Sequence, residues 1–420
     1  MNNDLLCIKI SMQHVTSEML SDMASMRVSG LTWNSSGSTI AVVYEMDRHE
    51  DWCDHETLIN IWNINRRDFD PSVPQQQIHA SNCICLIKFH PKDPALLLVG
   101  GFTGEVAVYN IARENDPLLA TSYGMMMNGH KEKISSLGWI STSDLRDNYT
   151  TNTQTHLILS AALDGKIIIW KLDYNKQELI PSKGFQLTPD HFPRSLGVKS
   201  RSSTEVGITS LSVNFEDGNV FIMGTEPGAI FQGSLASVSL ITPTSHNEGF
   251  TEYENTGEWY DPVVATFASH VGGRIIDIRF SPFHRDVFLS AGSDQEIRIY
   301  SLLHLHAPVQ VIHVDQTAIS CVAWSFSRPL VIVASGQNNR LYFHDLSKKE
   351  DRNPLEVKAS EKLIPFPLTF VEFNGSNSSL IATGDGFGRV HVLKLPSDLI
   401  SLDHNEIKLL NELSQLPEEA

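Results

Sequence analysis

The fold is decided by one stretch, residues 275–302, which reads IIDIRFSPFHRDVFLSAGSDQEIRIYSL. It contains a short apolar strand ending in an aromatic residue at Phe280, an unbroken apolar run at 287–292, and the alternating segment EIRIYSL. Alternation with a period of two predicts a strand that is buried on one face, and an unbroken run suits a strand that is buried on both faces. The pair Asp294-Gln295, which lies between the last two segments, suits a tight turn.

The same unit recurs along the chain. Seven copies of the first strand end at an aromatic residue, namely Trp33, Phe89, Trp139, Phe215, Phe280, Trp324 and Phe373. Each copy is followed by a second apolar run, such as LLLVGG at 96–101, then by a turn and an alternating strand, such as KIIIWKL after Asp164-Gly165. One unit cannot bury both faces alone, so neighbouring units must stack. The repeat therefore predicts an all-β fold, a seven-bladed β-propeller of four-stranded sheets.

The spacing and the ends of the repeats predict the domain organisation. Most successive aromatic residues are farther apart than the roughly 40–45 residues of a bare blade, so we expect polar surface loops. These loops are predicted at 47–57, 141–155, 181–206 and 240–262. The predicted boundaries are a short N-terminal arm or helix at 1–26, the propeller at 27–396, and a C-terminal helix and tail at 397–420.

The C-terminal segment has apolar residues at near-helical spacing, with Ser397 or Asp398 as a candidate N-cap. The apolar positions are Leu399, Leu402, Ile407, Leu410 and Leu413. Two interpretations stay open at this point. The helix packs against the propeller itself, or it binds a partner.

Composition restricts the class of protein. The 420 residues are 41% hydrophobic and 19% charged, as in ordinary globular proteins, and the net charge is −17. Such a surface disfavours nucleic acid as a partner. The five cysteines are widely spaced without a disulfide pattern, no signal peptide is visible, and no apolar stretch approaches the roughly 20 residues of a membrane helix. We therefore expect a soluble intracellular protein without membrane insertion.

Two blades carry the residues that are typical of WD repeats. In the third blade these are Gly129-His130, Asp164 and Trp170, and in the fifth they are His270, Asp294 and Tyr300. The Trp-Asp dipeptide itself is replaced, and only His344-Asp345 keeps its acid. The repeats therefore resemble degenerate WD (WD40) repeats. His130 and Asp164 are expected to form a structural network, because no nucleophile elbow accompanies them.

We predict no catalytic, cofactor-binding or metal-binding residues and no cofactor. The glycine-rich segment 384–388 lies between two strands, whereas a dinucleotide fingerprint opens a helix, so a hairpin turn is expected. Cys83 and Cys85 are expected to pack as small apolar residues, and His304 and His306 to be exposed. A dense set of potential zinc ligands lacks a second half-site and is interpreted as a solvated loop; it comprises His49, Asp51, Cys53, Asp54 and His55.

Beyond generic WD repeats, several segments resemble dynein intermediate chains. They lie at 96–122, 221–235, 280–302 and 373–395, and in the second of these a Gly-Thr-Glu turn replaces the usual acid. Within that family the resemblance is strongest to the intermediate chains of cytoplasmic dynein 2. The segments that carry it lie at 29–52, 62–74, 203–213 and 281–294.

The resemblance implies a non-catalytic subunit that binds the tail of the dynein-2 heavy chain and pairs with a second, different intermediate chain. It implies a role in retrograde intraflagellar transport and cilium assembly, with the protein in the cytoplasm, on the cytoskeleton, and in the cilium at the axoneme and base. In this family, light chains bind an N-terminal extension. The sequence starts almost at the first blade, so either it is truncated or this version does not recruit dynein light chains.

Four arginines are candidate contacts for acidic partners, with solvated loop charge as the competing interpretation. They are Arg66, Arg67, Arg274 and Arg285. Two other functions stay open on the sequence. A WD-repeat scaffold or adaptor of another complex, such as another dynein, a ubiquitin ligase or chromatin, predicts a charged or aromatic-lined channel for one peptide. A propeller enzyme predicts a reactive polar cluster, and we find none in the sequence.

Overall fold

The structure is a computed structural model that describes most of the chain. The described residues are 10–12, 26–46, 56–122, 129–142, 156–198, 206–241, 259–314, 317–347, 355–358, 367–403 and 405–415. Strands dominate this part of the chain, and α1 (Glu406–Ser414) is its α-helix. Within the same residues no helix is long and apolar enough to cross a membrane.

The strands follow one another closely along the chain. In chain order they are β1 (Ile10–Met12), β2 (Met26–Trp33), β3 (Thr39–Met46), β4 (Thr57–Asn63), β5 (Gln76–Ala80), β6 (Ile84–Phe89), β7 (Leu96–Gly101), β8 (Val106–Asn110), β9 (Leu118–Thr121), β10 (Ile134–Ser141), β11 (His156–Ala162), β12 (Lys166–Asp173), β13 (Glu178–Gln186), β14 (Ile208–Val213), β15 (Val220–Thr225), β16 (Ile230–Ser234), β17 (Trp259–Tyr260), β18 (Val263–Phe267), β19 (Ile275–Phe280), β20 (Val287–Gly292), β21 (Glu296–Ser301), β22 (Gln310–His313), β23 (Ile319–Trp324), β24 (Val331–Gly336), β25 (Arg340–Asp345), β26 (Leu355–Lys358), β27 (Leu368–Phe373), β28 (Leu380–Asp385) and β29 (Val390–Lys394).

The chain divides into two compact units, of which the first comprises residues 1–95, 281–284 and 313–416. Its four-stranded antiparallel sheets have the strand orders β2-β3-β4-β5, β23-β24-β25-β26 and β1-β29-β28-β27. In the last sheet β1 lies beside β29, with Ser11 opposite His391, so strands from the two ends of the chain form one sheet. This strand lies inside the predicted N-terminal arm. The domain boundaries at residues 26 and 396 stay a prediction.

The second unit comprises residues 96–280, 285–312 and 417–420. Two of its sheets have the orders β14-β15-β16-β18 and β19-β20-β21-β22. In a larger sheet, β7-β8-β9 and β10-β11-β12-β13 join at their outer edges, where Thr121 of β9 lies opposite Glu178 of β13 in a parallel pairing.

Taken in chain order, the strands make seven groups of four, which are the blades. Blades 1, 2 and 3 are β2–β5, β6–β9 and β10–β13, and blade 4 is β14–β16 with β18. Blades 5 and 6 are β19–β22 and β23–β26, and blade 7 is β27–β29 with β1. The prediction of an all-β, seven-bladed β-propeller with a short C-terminal helix is confirmed.

Within each unit the apolar faces of neighbouring blades pack against each other. One buried cluster joins blades 7 and 1, and others join blades 3 and 4, 4 and 5, and 6 and 7. Two glycines permit this close approach. A Cβ atom on Gly224 would lie 2.3 Å from the Ile275 side chain, and one on Gly384 would lie 2.4 Å from Val28. A side chain from the inner strand of each following blade thus occupies the space that a side chain at the glycine would fill.

The first hairpin of most blades contains a β-bulge after its first residue. The pairing register shifts between the first and third positions of the inner strand in blades 3, 4, 5, 6 and 7, and between the third and fifth positions, Val28 and Gly30, in blade 1. The skipped residues are Ser29, Ser135, Thr209, Ile276, Ser320 and Thr369. A bulge adds twist and turns one side chain away from the ladder. Ser135 uses this freedom to donate to the Ala161 carbonyl oxygen at 3.2 Å.

The fourth predicted strand end is wrong. β14 ends at Val213, which lies opposite Phe221 in the register that Phe280 and Phe288 use in blade 5. The next residue, Asn214, starts a turn because its Oδ1 atom accepts the backbone N–H groups of Glu216 at 2.9 Å and Asp217 at 3.2 Å. Phe215 therefore lies in the turn and is 46% exposed.

Two predicted surface loops are partly sheet. β13 continues to Gln186, and β17 pairs with it in parallel, with Trp259 opposite Gly184. A Cβ atom on Gly184 would lie 2.8 Å from the Trp259 ring, and Trp259 is 8% exposed. The prediction of loops is therefore wrong for these parts of 181–206 and 240–262. Most of the other two predicted loops, 47–55 and 143–155, lies outside the described residues.

The C-terminal helix is shorter than predicted and packs on its own unit. It starts at Glu406, and its buried residues Glu406, Leu410 and Ser414 face the body of the unit. Arg328, in the turn after β23, donates to the Glu406 carboxylate at 2.7 Å, to the Asp398 carbonyl oxygen at 2.6 Å and to Asp345 at 3.2 Å. Of the two interpretations left open by the sequence, packing against the propeller is the one observed.

Candidate functional site

Blade 3 holds a buried chain of hydrogen bonds. Trp170 Nε1 donates to Ser160 Oγ at 2.7 Å, and Ser160 Oγ lies 2.7 Å from His130 Nε2. Because the Ser160 oxygen accepts from the indole, its own hydrogen goes to His130 Nε2. His130 Nδ1 then carries the hydrogen that points to Asp164, 3.3 Å away. Asp164 also accepts the backbone N–H groups of Lys131 and Lys166.

The blade 3 network resembles a Ser-His-Asp triad in composition, but its geometry is structural. His130, Ser160 and Asp164 are all 0% exposed, so a substrate cannot reach the hydroxyl. The network joins the loop before β10, the turn after β11 and strand β12. Burial alone would raise the pKa of Asp164, but the hydrogen bond from His130 and the nearby Lys166 charge bring that pKa below its usual value. The predicted structural network is confirmed.

Blade 5 repeats this arrangement with one change. His270 Nε2 lies 2.7 Å from Ser290 Oγ, and His270 Nδ1 lies 2.8 Å from Asp294 Oδ2. Tyr300 takes the place of the tryptophan, and its hydroxyl donates to the Ala268 carbonyl oxygen at 2.7 Å. Burial raises the pKa of Tyr300 to about 12. Burial, reinforced by the nearby Arg298 charge, lowers the pKa of His270.

The same corner of blade 5 groups three side chains of the kind that bind metals. The ligand atoms of His270, Asp294 and Glu296 lie within 4.8 Å of one another. Arg298 already forms ion pairs with both carboxylates, with Nη2 2.7 Å from Glu296 and 3.4 Å from Asp294. A metal ion would have to displace this guanidinium, so the donor set favours the ion-pair network.

Blade 7 has a third network around a buried acid. Asp385, which is 1% exposed, accepts the backbone N–H groups of Phe387 and Arg389 at 2.9 Å through Oδ1. Its Oδ2 atom lies 3.1 Å from both Arg389 Nε and His391 Nε2. Burial would raise the pKa of Asp385, but these hydrogen bonds, led by that from His391, lower it. Gly388 has a φ of 70°, so the predicted hairpin turn at 384–388 is confirmed.

Blades 1 and 6 lack the network for a reason that the register explains. Trp62 lies opposite Ile40, as Trp170 lies opposite Ile158, but Val42 stands where blade 3 has Ser160. In blade 6, His344 and Ala334 occupy the two positions. Neither Val42 nor Ala334 has a hydroxyl to join the partners, so these blades are stabilised by apolar packing.

In blade 4 the Gly-Thr-Glu turn noted in the sequence uses a hydroxyl where other blades use an acid. Thr225 Oγ1 donates to the Ala229 carbonyl oxygen at 3.1 Å and accepts the Ala229 N–H at 3.0 Å. One threonine thus closes the turn that an aspartate closes in blades 3, 5 and 7. The predicted positive φ of the tight turns is also observed, at 73° for Gly165 and 66° for Gln295.

The other candidate residues are not brought together. Cys83 and Cys85 are 1% and 2% exposed, as expected for small apolar residues. His306 is exposed, whereas His304 is half-buried, so the prediction of an exposed His304 is wrong. The predicted solvated loop with His49 and its neighbours lies outside the described residues.

The four candidate arginines lie on three turns, and Arg66 and Arg67 are neighbours on one of them. Arg66 forms a two-bond ion pair with Asp68, at 2.9 and 2.8 Å. Arg285 lies 3.6 Å from Asp286 and is 66% exposed. Arg67 and Arg274 are exposed. Arg274 precedes β19 and Arg285 follows it, so these two lie at opposite ends of that strand.

Comparison with known proteins identifies the repeats. The family model of the WD domain, G-beta repeat, matches residues 121–171, which include the complete blade 3 network. Cytoplasmic dynein 2 intermediate chain 2 of Homo sapiens is 30% identical over 391 residues, which cover 93% of this chain and 69% of the human protein. The chain belongs to the dynein intermediate chain family.

Other relatives of this dynein intermediate chain agree with that assignment. Cytoplasmic dynein 2 intermediate chain 2 of Mus musculus is 29% identical over 406 residues, covering 96% of this chain and 72% of the mouse protein. The 70 kDa intermediate chain of the flagellar outer arm dynein of Chlamydomonas reinhardtii is 24% identical over 343 residues, covering 81% of this chain and 50% of the algal protein. The predicted WD40 propeller fold and the resemblance to dynein intermediate chains are confirmed.

Proposed function

We propose that this dynein intermediate chain is a non-catalytic subunit of cytoplasmic dynein 2 that binds the tail of the heavy chain. In this role it supports retrograde intraflagellar transport and cilium assembly. The observation that carries the proposal is the match to cytoplasmic dynein 2 intermediate chain 2 over 93% of the chain.

The geometry of the blades supports a scaffold function. The polar clusters that could do chemistry are buried and joined to turns, as at Ser160, or neutralised by an ion pair, as at Glu296. Many of the exposed residues lie in turns at the ends of the sheets. A rigid support that presents its turns is suited to binding large partners.

The proposal includes one further partner and a location. A second, different intermediate chain pairs with this one in the assembled motor. The protein works in the cytoplasm, on the cytoskeleton, and in the cilium at the axoneme and base. These details extend the names of the relatives, which mention cytoplasmic dynein 2 and ciliary or flagellar dyneins.

Depletion of the chain in ciliated cells tests the proposed role. We expect shorter cilia, transport particles accumulated at the ciliary tip, and a reduced retrograde particle velocity, all restored by the wild-type chain. Normal cilia with a normal retrograde velocity after complete depletion would contradict the proposal.

A further inference from the structure

Two neighbouring blades of the second unit present their turns on one side. β14 and β19 run next to each other in the same direction, because Ser210 Oγ accepts the Ile278 N–H at 3.1 Å and Ser212 Oγ accepts the Phe280 N–H at 3.0 Å. The turns that follow the two strands are therefore at the same end. Since hairpins alternate between the ends of an antiparallel sheet, the turns after β16 and β21 are at this end as well.

Four large apolar side chains are exposed at this end of blades 4 and 5. Phe215 follows β14 and is 46% exposed, Val238 and Leu240 follow β16 at 78% and 54%, and Leu303 follows β21 at 60%. Together they are called the blade 4–5 strip. Grouped exposure of large apolar residues at one edge of a soluble protein marks an interaction site.

Hydrogen bonds connect the turns that carry the strip. Leu235 N donates to the Asn219 carbonyl oxygen at 2.8 Å, which joins the two turns of blade 4. Asn214 Nδ2 donates to the Arg285 carbonyl oxygen at 2.6 Å, which joins blade 4 to blade 5. Leu302 N donates to the Asp286 carbonyl oxygen at 2.7 Å, next to Leu303.

The part that carries Val238 and Leu240 is held in place by β17. Ile241 N donates to the Trp259 carbonyl oxygen at 3.0 Å, and Asp261 N donates to the Ser239 carbonyl oxygen at 2.8 Å. These bonds flank the bridge between Leu240 and Tyr260. The apolar side chains are thus presented by an ordered support, which lowers the entropy cost of binding.

The charges beside the strip are mainly negative. Glu216 is exposed, and Asp217 and Asp286 are half-exposed. Two positive charges oppose them, namely Arg285, 3.6 Å from Asp286, and Lys183, whose Nζ atom donates to the Leu235 carbonyl oxygen at 2.8 Å. Three carboxylates against these two cations leave the surroundings acidic, so a partner with basic residues next to its apolar face is complementary.

We propose that the blade 4–5 strip docks an amphipathic helix whose apolar face covers Phe215, Val238, Leu240 and Leu303 and whose flanks carry lysine or arginine. A helix places apolar side chains three and four residues apart in one stripe, with polar residues beside them. The inference rests on the proposed function, under which this helix belongs to the tail of the dynein heavy chain.

Binding of the purified full-length chain to the purified heavy-chain tail tests the strip. Phe215→Ser and Leu303→Ser each weaken the affinity about tenfold, and the double variant weakens it about a hundredfold, because truncated apolar anchors at an interface carry effects of this size. Glu216→Lys weakens binding several-fold, and added salt weakens binding of the wild-type chain. The substituted side chains are exposed, so the thermal midpoint stays that of the wild type.

Val271→Ser is the matched control. Val271 is 68% exposed but precedes β19, so it lies at the opposite end of the same blade. The affinity of Val271→Ser for the heavy-chain tail is expected to lie within twofold of that of the wild type. A loss as large as that of Phe215→Ser would overturn the assignment to the strip.

The outcomes separate the strip from the proposed function. If the wild-type chain binds the tail and the double variant binds equally well, the strip is wrong and the proposed function stands. If the double variant loses the second intermediate chain and keeps the heavy chain, the strip is also wrong. If the wild-type chain does not bind the tail, the proposed function fails and the inference fails with it.

Discussion

The Oγ atom of Ser160 lies 2.7 Å from the indole nitrogen of Trp170, on the neighbouring strand of blade 3. The same oxygen lies 2.7 Å from His130 Nε2, so one hydroxyl on β11 connects strand β12 with the loop before β10. All three side chains are at most 1% exposed. The Ser160 hydroxyl is therefore a buried partner of both ring nitrogens.

Replacing Ser160 with alanine is expected to destabilise the protein by about 2–3 kcal/mol, because two buried polar groups lose their partner. The midpoint of chemical denaturation, followed by Trp fluorescence, measures the effect. The matched control is Ser239→Ala at an exposed serine, which should change the stability by less than about 0.5 kcal/mol. Equal midpoints for Ser160→Ala and the wild type would show that the network is dispensable.

Asp385 makes the stability of blade 7 depend on pH. Its folded-state pKa is lowered from 3.8, so the ionised form is favoured by folding. The stabilisation is fully present above the unfolded-state pKa near 3.8 and is lost as the pH falls through the lower, folded-state pKa. Asp385→Asn should therefore be less stable than the wild type at pH 7, and the difference should shrink below about pH 4.

Unfolding midpoints measured from pH 2 to 7 test the role of Asp385. Asp190→Asn, at an exposed aspartate, serves as the control and should follow the wild-type curve. A difference between Asp385→Asn and the wild type that stays constant over the whole range would mean that ionisation of Asp385 is not coupled to folding.

Arg328 is expected to hold the C-terminal helix in place. Arg328→Ala leaves the Glu406 carboxylate, whose side chain is 3% exposed, without its cation. Loss of one partner of a buried pair costs about 3 kcal/mol, so the helix should open locally. Hydrogen exchange of the Leu410 amide should become about a hundredfold faster, which is that free energy converted to a ratio and rounded down.

Lys408→Ala provides the comparison for the C-terminal helix. Lys408 lies 3.6 Å from Glu412, but the two side chains are 77% and 58% exposed, so the pair contributes little. Its exchange rates should match the wild type. Unchanged hydrogen-exchange protection of the Leu410 amide in Arg328→Ala would show that Arg328 does not hold the helix in place.

Two glycines inside strands should respond oppositely to alanine. A Cβ atom at Gly224 would lie 2.3 Å from Ile275, so Gly224→Ala should cost about 1–3 kcal/mol and loosen the packing of blades 4 and 5. At Gly138 no atom lies within 4 Å of the added Cβ, so Gly138→Ala should be neutral or slightly stabilising. Thermal midpoints of the two variants decide the point, and equal effects would argue against a packing role for Gly224.

Much of the fold follows from the sequence because each blade repeats the same pattern of apolar strand, turn and alternating strand. The alternating third strands, such as EIRIYS at 296–301, and the turns at Gly165 and Gln295 are where the periodicity puts them. The exposed Phe215 was assigned to a strand because an aromatic residue stood at the expected spacing. Its predecessor Asn214 was the missed signal, because an asparagine at this place closes a turn, as Asn34 and Asn374 do in blades 1 and 7.

Contacts between residues far apart in sequence cannot be predicted from local sequence patterns. The addition of β17 to β13 depends on the contact between Trp259 and Gly184, which lies 75 residues earlier in the chain. The sequence around neither residue shows a pattern that predicts this contact. The His130–Asp164 network was predictable because its spacing recurs in a known repeat. The blade 4–5 strip was not, because it is formed by turns whose side chains are exposed only once the strand ends are fixed.

Affinity purification of the tagged full-length chain from ciliated cells tests the central claim most directly, with the co-purified proteins identified and quantified by mass spectrometry. We predict that a dynein-2 heavy chain and a second, different intermediate chain are recovered in amounts comparable with the tagged chain. Recovery of cullin or histone partners alone, without any dynein heavy chain, would contradict it.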